Sequence, residues 1–273
     1  MKSTRLAFAF ALLFLPVTAL ATNVTFVDPY GSGGSSYPYT TTTLNNNTTD
    51  TVDVIGERQL FDIQSVSLSF DESNFSATLV FNYQADDLAS FSDGSLTLSP
   101  ADLLFKVRGN YLYGIPLVDH YADDSGDYVS AGSLYRLGSD GVLTARNVLG
   151  VPAWPEAGAR WLYRPEKAVW INPDGDTEEI ASGISDIAYE DLPYGFPIDG
   201  SASGAQYTVT LTLDEMPSEF YGDLFGSEVQ FASATCANDI LTGQVPVPEP
   251  GTMVLLGTGL VGLAGWGRKK FRK

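Results

Sequence analysis

The 273-residue sequence is poor in cysteine, histidine and basic residues, and each shortage excludes a class of function. Its single cysteine, Cys236, can form neither an internal disulfide nor a cysteine-based zinc site. Its single histidine, His120, rules out multi-histidine metal centres and leaves one candidate for imidazole catalysis. The 15 Lys and Arg residues stand against 33 Asp and Glu residues, a net charge of -18. Phosphate backbones repel such a chain, which argues against nucleic acid as a partner.

Residues 1–21 have the three-part composition of a secretory signal peptide. Lys2 and Arg5 give a positive start, residues 6–15 form an apolar run, and residues 19–21 supply the small-x-small pattern that signal peptidase reads. The run is shorter than the roughly 20 residues that a transmembrane helix needs. A buried helix of the fold is the alternative, which the flanking residues disfavour. We therefore expect signal peptidase to remove this segment during export through the inner membrane.

Residues 245–273 combine a proline-rich motif, an apolar run and a basic cluster. The apolar run, residues 253–267, would span about 22 Å as a single helix at about 1.5 Å per residue, slightly short for a bilayer core. Its length and high glycine content favour a transient membrane anchor over a permanent one. Five Lys and Arg residues follow within 268–273 and would stay on the cytoplasmic side, leaving the preceding body outside the cytoplasm.

This three-part segment resembles the PEP-CTERM sorting signal of exosortase-dependent surface proteins in Gram-negative bacteria. The resemblance rests on Pro248, Glu249, Pro250, Gly251 and Thr252, together with the apolar and basic segments behind them. It implies that exosortase, a membrane-embedded transpeptidase-like enzyme, recognises the motif, cuts at or near it and transfers the protein to the cell surface or extracellular matrix. An ordinary membrane anchor is the alternative, although an anchor needs no Pro-Glu-Pro element.

Between these segments the sequence predicts an all-β body. Residues 22–51 predict one short strand and then a flexible linker, because Gly, Ser, Thr and Asn dominate residues 30–50. Within 52–244, short runs of alternating apolar and polar residues bounded by turn residues predict a β-sandwich of jelly-roll type. The predicted strands cover residues 66–70, 75–83, 103–107, 111–116, 128–137, 142–147, 167–172, 184–189, 207–213 and 228–234, with a short helix near 217–224.

The single histidine and cysteine each have a catalytic and a structural interpretation. Asp119 would point to the opposite face of a strand from His120, and no glycine-flanked nucleophilic serine appears. A loop histidine paired with local carboxylates is therefore favoured. Cys236 is expected to be a buried small apolar residue rather than a nucleophile, with an intermolecular disulfide as a third alternative. A glycosidase needs two carboxylates across a cleft, which 33 acids would supply by chance, so no enzyme is predicted.

Two acidic loops are candidates for a calcium site. The proposed ligands are Asp123, Asp124 and Asp127 in the first loop and Asp174, Asp176 and Glu178 in the second. Ca²⁺ takes six to eight oxygen ligands, which such loops can supply. Neither loop has the EF-hand spacing, and Asp and Gly are also ordinary turn residues. The two terminal segments hold 7 of the 15 basic residues and 1 of the 33 acidic ones, so the body alone carries -24 and favours divalent cations.

Three tryptophans suggest a carbohydrate-binding surface. Trp154, Trp161 and Trp170 lie close together in a proline-containing segment, and β-sandwich modules bind sugars with exposed aromatic side chains beside carboxylates. Packing in a core or beneath a loop is the more frequent role of tryptophan.

The sequence therefore predicts an exported surface or matrix protein with a structural or adhesive role in the exopolysaccharide or biofilm layer. The expected partners are exosortase, signal peptidase, the inner membrane transiently and extracellular polysaccharide. A calcium-assisted carbohydrate-binding module is the alternative.

Overall fold

The computed structural model describes residues 21–27, 39–44, 47–52, 62–83, 91–93, 96–121, 128–149, 166–191, 205–233, 237, 239–248 and 259. Within these ranges the chain forms nineteen strands and two short helices. The described strand pairs are antiparallel. The predicted all-β class is therefore confirmed.

Two large sheets hold most of the strands. The five-stranded sheet runs in the order β1 (Thr22–Val27), β4 (Ile63–Phe70), β5 (Phe75–Tyr83), β17 (Ala205–Leu213) and β16 (Gly183–Asp191). The eight-stranded sheet runs in the order β15 (Thr177–Ala181), β12 (Leu134–Leu137), β9 (Asn110–Ile115), β8 (Leu103–Val107), β18 (Glu228–Ala232), β19 (Ile240–Gln244), β3 (Asn47–Val52) and β2 (Tyr39–Leu44).

The remaining elements are three two-stranded ribbons and two helices. The ribbons are β6 (Phe91–Asp93) with β7 (Leu96–Leu98), β10 (His120–Tyr121) with β11 (Tyr128–Val129), and β13 (Val142–Thr144) with β14 (Ala168–Ile171). Helix α1 (Ala145–Leu149) follows β13 directly, and helix α2 (Ser218–Leu224) follows β17.

The hairpin of β4 and β5 forms where alternation and turn chemistry predicted it. Asp71 closes the turn, because its carboxylate accepts hydrogen bonds from the backbone N–H groups of Ser73 at 2.7 Å and Asn74 at 2.8 Å. These bonds favour the ionised form, so the Ser73 bond first and then those of Asn74 lower the pKa of Asp71. The apolar residues of β5 alternate inward and are buried.

Aromatic side chains from both large sheets meet in one hydrophobic core. Phe81 of the five-stranded sheet lies 5.2 Å, between ring centroids, from Phe231 of the eight-stranded sheet. Helix α2 adds Phe220, whose ring lies 5.4 Å from Phe75 and 5.2 Å from Phe105. Burying each such ring stabilises the fold by about 1.5–3 kcal/mol. The inward faces of both sheets are therefore held together by the same core.

The eight-stranded sheet is also covered on its outer face. Leu104 points away from its neighbours Leu103 and Phe105 and packs in a second cluster with Ala168 and Ile171 of β14. The ribbon of β13 and β14 therefore lies over the outer face, which explains why β8 is apolar on both sides.

The structure places strands in the segment predicted to be a linker. Strands β2 and β3 pair with each other, and β3 pairs with β19 inside the eight-stranded sheet. Their sequences, YTTTTL and NTTDTV, are rich in threonine, whose β-branched side chain favours extended backbone. The predicted strand over 128–137 is divided into β11 and β12, and the predicted strand over 142–147 ends in helix α1.

Part of the prediction falls outside the described residues. The signal peptide, apart from residue 21, and the apolar segment 253–267, apart from Gly259, lie there. In the portion of the chain that is described, no helix has the length and apolar character needed to cross a membrane.

Gly132 lies in the turn between β11 and β12, and its backbone conformation should make it intolerant of substitution. Its φ is +81°, and a Cβ atom there would collide with the backbone of Ile184 and Ser185. We expect Gly132→Ala to lower the free energy of unfolding by at least about 1–2 kcal/mol, the cost of a left-handed backbone for a residue with a Cβ atom. Urea unfolding measures this.

Gly222→Ala is the matched control, because Gly222 lies in α2 with open space around its Cα. Alanine is a better helix former than glycine, so this variant should be more stable by about 0.5–1 kcal/mol. Equal stability of wild type and Gly132→Ala would contradict the turn geometry.

Candidate functional site

The pairing of β12 with β15 forms one wall of a polar pocket. Tyr135 lies across from Glu179 and Leu137 lies across from Thr177, so these side chains share one face of the sheet. A pocket of about 370 Å³ opens on this face. Its lining residues are Tyr128, Tyr135, Pro173, Asp174, Gly175, Thr177 and Glu179.

Hydrogen bonds fix the polar groups of this pocket. The Tyr135 hydroxyl accepts a bond from the Ser130 N–H at 2.8 Å and donates a long one, 3.5 Å, to Oε2 of Glu179. Oε1 of Glu179 accepts a bond from the Ser182 hydroxyl at 3.2 Å. Burial, assisted by the charge of Glu179, raises the pKa of Tyr135 to about 12 against the effect of the Ser130 bond. The Tyr135 hydroxyl therefore stays protonated at neutral pH.

Two exposed tyrosines lie beside the pocket. Tyr121 and Tyr128 face each other across the β10–β11 ribbon, with ring centroids 5.4 Å apart and planes tilted by 32°. They are 68% and 49% exposed, and Tyr128 also lines the pocket. We call this the tyrosine pair. The sequence did not indicate this pair, although the two residues precede and follow the first calcium candidate, residues 123–127, in the chain.

The second calcium candidate does not bring its three carboxylates together. Asp174 lines the pocket, whereas Glu178 lies on the opposite face of β15 and bonds Arg136 at 2.6 Å. Asp176 lies near Gly138, and its backbone N–H donates to the Asp140 carboxylate at 2.9 Å. Of the three, only Glu178 lies on β15, and Asp174 and Asp176 come before that strand begins at Thr177. The regular alternation of a strand therefore does not align the three carboxylates.

Among the described residues, no group of three or more Asp, Glu, His or Cys side chains could hold a metal ion. The first candidate loop, with Asp123, Asp124 and Asp127, lies outside those residues. The calcium site stays a prediction that now depends on this first loop.

Trp170 is the only predicted sugar-binding tryptophan in the described part of the chain; Trp154 and Trp161 lie outside it. Its indole N–H donates to the Pro100 carbonyl at 3.0 Å, and its ring stacks on His120 with centroids 4.0 Å apart. The indole N–H is therefore already used within the protein. The sugar-binding role of these tryptophans stays a prediction.

His120 and Asp102 form a buried pair. Nε2 of His120 lies 2.7 Å from Oδ1 of Asp102, and each residue is 1% exposed. The other oxygen of Asp102 accepts the Ile171 N–H at 2.7 Å. Burial raises the pKa of Asp102, with the nearby His120 acting against it. The pair thus ties β10 to the start of β8 and to β14.

This arrangement changes the interpretation of His120. The predicted loop histidine with local carboxylates is a buried strand residue whose partner lies 18 positions earlier in the chain. Asp119 accepts the Ala131 N–H at 2.9 Å instead, consistent with its expected position on the opposite face. Nδ1 of His120 has no hydrogen-bond partner among the described residues, so none of these supplies a nucleophile beside it. Cys236 lies outside them.

The core ends abruptly after β19. Val245 is fully buried, its N–H donates to the Ser227 carbonyl at 2.9 Å, and its carbonyl accepts the Gly226 N–H at 3.0 Å. The next three residues, Pro246, Val247 and Pro248, are exposed. Residues 246–269 match the family model of the PEP-CTERM protein-sorting motif.

The chain carries a PEP-CTERM sorting signal. The match contains all five predicted motif residues, 248–252, and confirms the resemblance. The signal implies export, processing by exosortase, and a location at the cell surface or outside the cell. A search of curated proteins found no match to the chain. A search of solved structures found none either. The PEP-CTERM match covers the sorting segment alone, so the role of the body has to be inferred from its own geometry.

Proposed function

We propose that this PEP-CTERM protein is a structural or adhesive component of the extracellular polysaccharide or biofilm layer, released to the surface by exosortase. The observation that carries the proposal is the PEP-CTERM match at residues 246–269. On this proposal, signal peptidase removes residues 1–21, the apolar segment holds the chain at the inner membrane for a time, and exosortase then separates the body from the tail.

The junction between body and tail supports this order of events. Among the described residues Val245 is the last buried one, and the matched segment begins at the next position with exposed side chains. A cut at or near Pro248, Glu249 and Pro250 would leave every buried residue of the described core in the released body. The released body would therefore keep its fold.

A β-sandwich body suits a load-bearing or adhesive role. The shared aromatic core between the five-stranded and eight-stranded sheets supports a sandwich of two packed sheets. Such a module is rigid and presents loops and ribbons at its edges for contacts. The jelly-roll connectivity and the absence of enzymatic activity stay predictions.

Loss of the motif should prevent processing. In an exporting host with exosortase, we expect intact-mass measurement of the surface fraction to show a body without its tail. The triple variant Pro248→Ala, Glu249→Ala and Pro250→Ala should keep the tail and stay with the membrane fraction, because the recognition residues are gone.

Glu72→Ala is the control for this experiment, since Glu72 is exposed in the β4–β5 turn, far along the chain from the motif. It should be processed as the wild type is. A tail that survives intact in hosts both with and without exosortase would refute the sorting proposal.

A calcium-assisted carbohydrate-binding module is the second candidate function. The tyrosine pair favours it, because Tyr121 and Tyr128 are in contact and Tyr128 lines a pocket that contains carboxylates.

A further inference from the structure

We propose that the tyrosine pair and the adjoining pocket form a binding site for a neutral polysaccharide, a chain of uncharged hexoses. The proposal rests on export, because its ligand lies outside the cell, and it assigns the contact with the polymer to residues other than the predicted tryptophans.

The exposed rings supply a surface for the apolar faces of sugars. Isolated exposed aromatic residues are ordinary on protein surfaces, but Tyr121 lies in contact with Tyr128, and Tyr128 lines the pocket. A pyranose ring has one face of C–H groups, which pack against an aromatic ring while the sugar hydroxyls point outward. Two neighbouring rings offer such a surface over more than one side chain. The hydroxyl of Tyr128 bonds Ser130 at 2.9 Å, which restrains one of the rings.

The pocket supplies partners for the sugar hydroxyls. Tyr135, Thr177 and Glu179 project from paired strands, so their positions are set by backbone pairing rather than by a loop. Carboxylate oxygens accept bonds from sugar hydroxyls, and the threonine hydroxyl both donates and accepts them. The Tyr135 hydroxyl, which already bonds Ser130 and Glu179, holds Glu179 in place.

Charge selects a neutral polymer over an acidic one. The pocket contains the carboxylates of Asp174 and Glu179, and no basic residue is among its described lining. The body as a whole carries -24 without its terminal segments, as counted above. A uronic acid or phosphate group entering this pocket would be repelled, whereas a neutral hexose would not.

The same chain provides a matched control surface. Tyr189 is 53% exposed on β16, in the other large sheet, and its ring lies 5.6 Å from Tyr207. It therefore resembles Tyr121 and Tyr128 in exposure and in having an aromatic neighbour, but it is not part of the pocket lining.

Native gel electrophoresis in gels cast with polysaccharide tests the site. The probes are three neutral polymers, dextran, laminarin and galactomannan, and one anionic polymer, alginate. We expect at least one neutral polymer to retard the full-length chain and alginate not to do so. The Tyr121→Ala, Tyr128→Ala double variant should bind at least about tenfold more weakly, because the aromatic anchors are lost. Tyr189→Ala should bind as the wild type does.

Three results would overturn the proposal: no retardation by any neutral polymer, retardation by alginate alone, or undiminished binding by the double variant. The unfolding midpoint of the double variant should match that of the wild type, since both side chains are exposed. If it does not, the single variants Tyr121→Ala and Tyr128→Ala replace it, with binding expected to fall in each. The chain is purified from cells without exosortase, so failure of sugar binding is separate from failure of sorting.

Discussion

Asp102→Ala is expected to lower the free energy of unfolding by about 3–5 kcal/mol, the usual cost of removing one member of a buried charged or hydrogen-bonded pair. The substitution would leave the buried Ile171 N–H and Nε2 of His120 without the carboxyl group that each now bonds. For a body of this size the loss corresponds to a fall in melting temperature of about 6–20 °C. Urea unfolding and thermal unfolding followed by circular dichroism measure it.

Asp102→Asn is the matched control and also tests the charge of this group. Asparagine keeps a side-chain oxygen that accepts the Ile171 N–H, so this variant should lose much less free energy of unfolding than the alanine variant. The folded pKa of Asp102 is raised by burial above the ordinary 3.8, so the neutral carboxyl stabilises the fold and that contribution is lost as the pH rises through the folded pKa. The stability of wild type relative to Asp102→Asn should therefore fall as the pH is raised above 3.8. A relative stability that rises with pH would show that attraction to a charged His120 outweighs burial.

Phe220→Ala should lower the free energy of unfolding by a similar amount, about 3–5 kcal/mol, because it removes a fully buried ring and leaves a cavity. The ring contacts Phe75 of one sheet, and Phe105 and Tyr113 of the other, with centroid distances of 5.4, 5.2 and 5.0 Å. Its loss would weaken the contact between the two sheets. Denaturant unfolding gives the free energy, and near-ultraviolet circular dichroism reports on the packing of the aromatic cluster.

Phe220→Leu separates the effect of lost volume from that of lost aromatic geometry. Leucine fills most of the space, so this variant should cost less than about 1.5 kcal/mol. If Phe220→Ala lowers the free energy of unfolding by less than about 1 kcal/mol, the Phe220 ring of helix α2 does not pack between the two sheets. The interpretation of the body as a sandwich would then lose its main support.

The strands that could be predicted from the sequence are those with one buried face. In β4, β5 and β17 the apolar residues alternate because one side faces the core, and period two is visible locally. Helix α2 was also predicted. Strands β2 and β3 were missed because threonine is their most frequent residue, so no apolar alternation marks them, and the pairing of β3 with β19 joins residues far apart in the chain.

The functional sites were also predictable from the sequence only where their residues are close together in the chain. The sorting signal was recognised because all of its determinants lie in one continuous segment. The pocket depends on the register between β12 and β15, which decides that Glu179 faces the pocket while its neighbour Glu178 faces Arg136. The partner of His120 likewise depends on a contact across 18 positions. Composition identified the acidic segment but could not assign its residues to faces.

The short distance from Val245 to the sorting motif links the timing of folding to the position of the membrane enzyme. Strand β19 lies between β18 and β3, in the interior of the eight-stranded sheet, so that sheet cannot close until residue 244 has left the translocation channel. Only Pro246 and Val247 then separate the buried Val245 from Pro248, a span of about 10 Å in extended chain. The apolar segment begins at residue 253, so a finished body would be held within about 25 Å of the membrane by residues 246–252. We therefore expect exosortase either to act against the underside of the folded body or to act before β19 has locked into place.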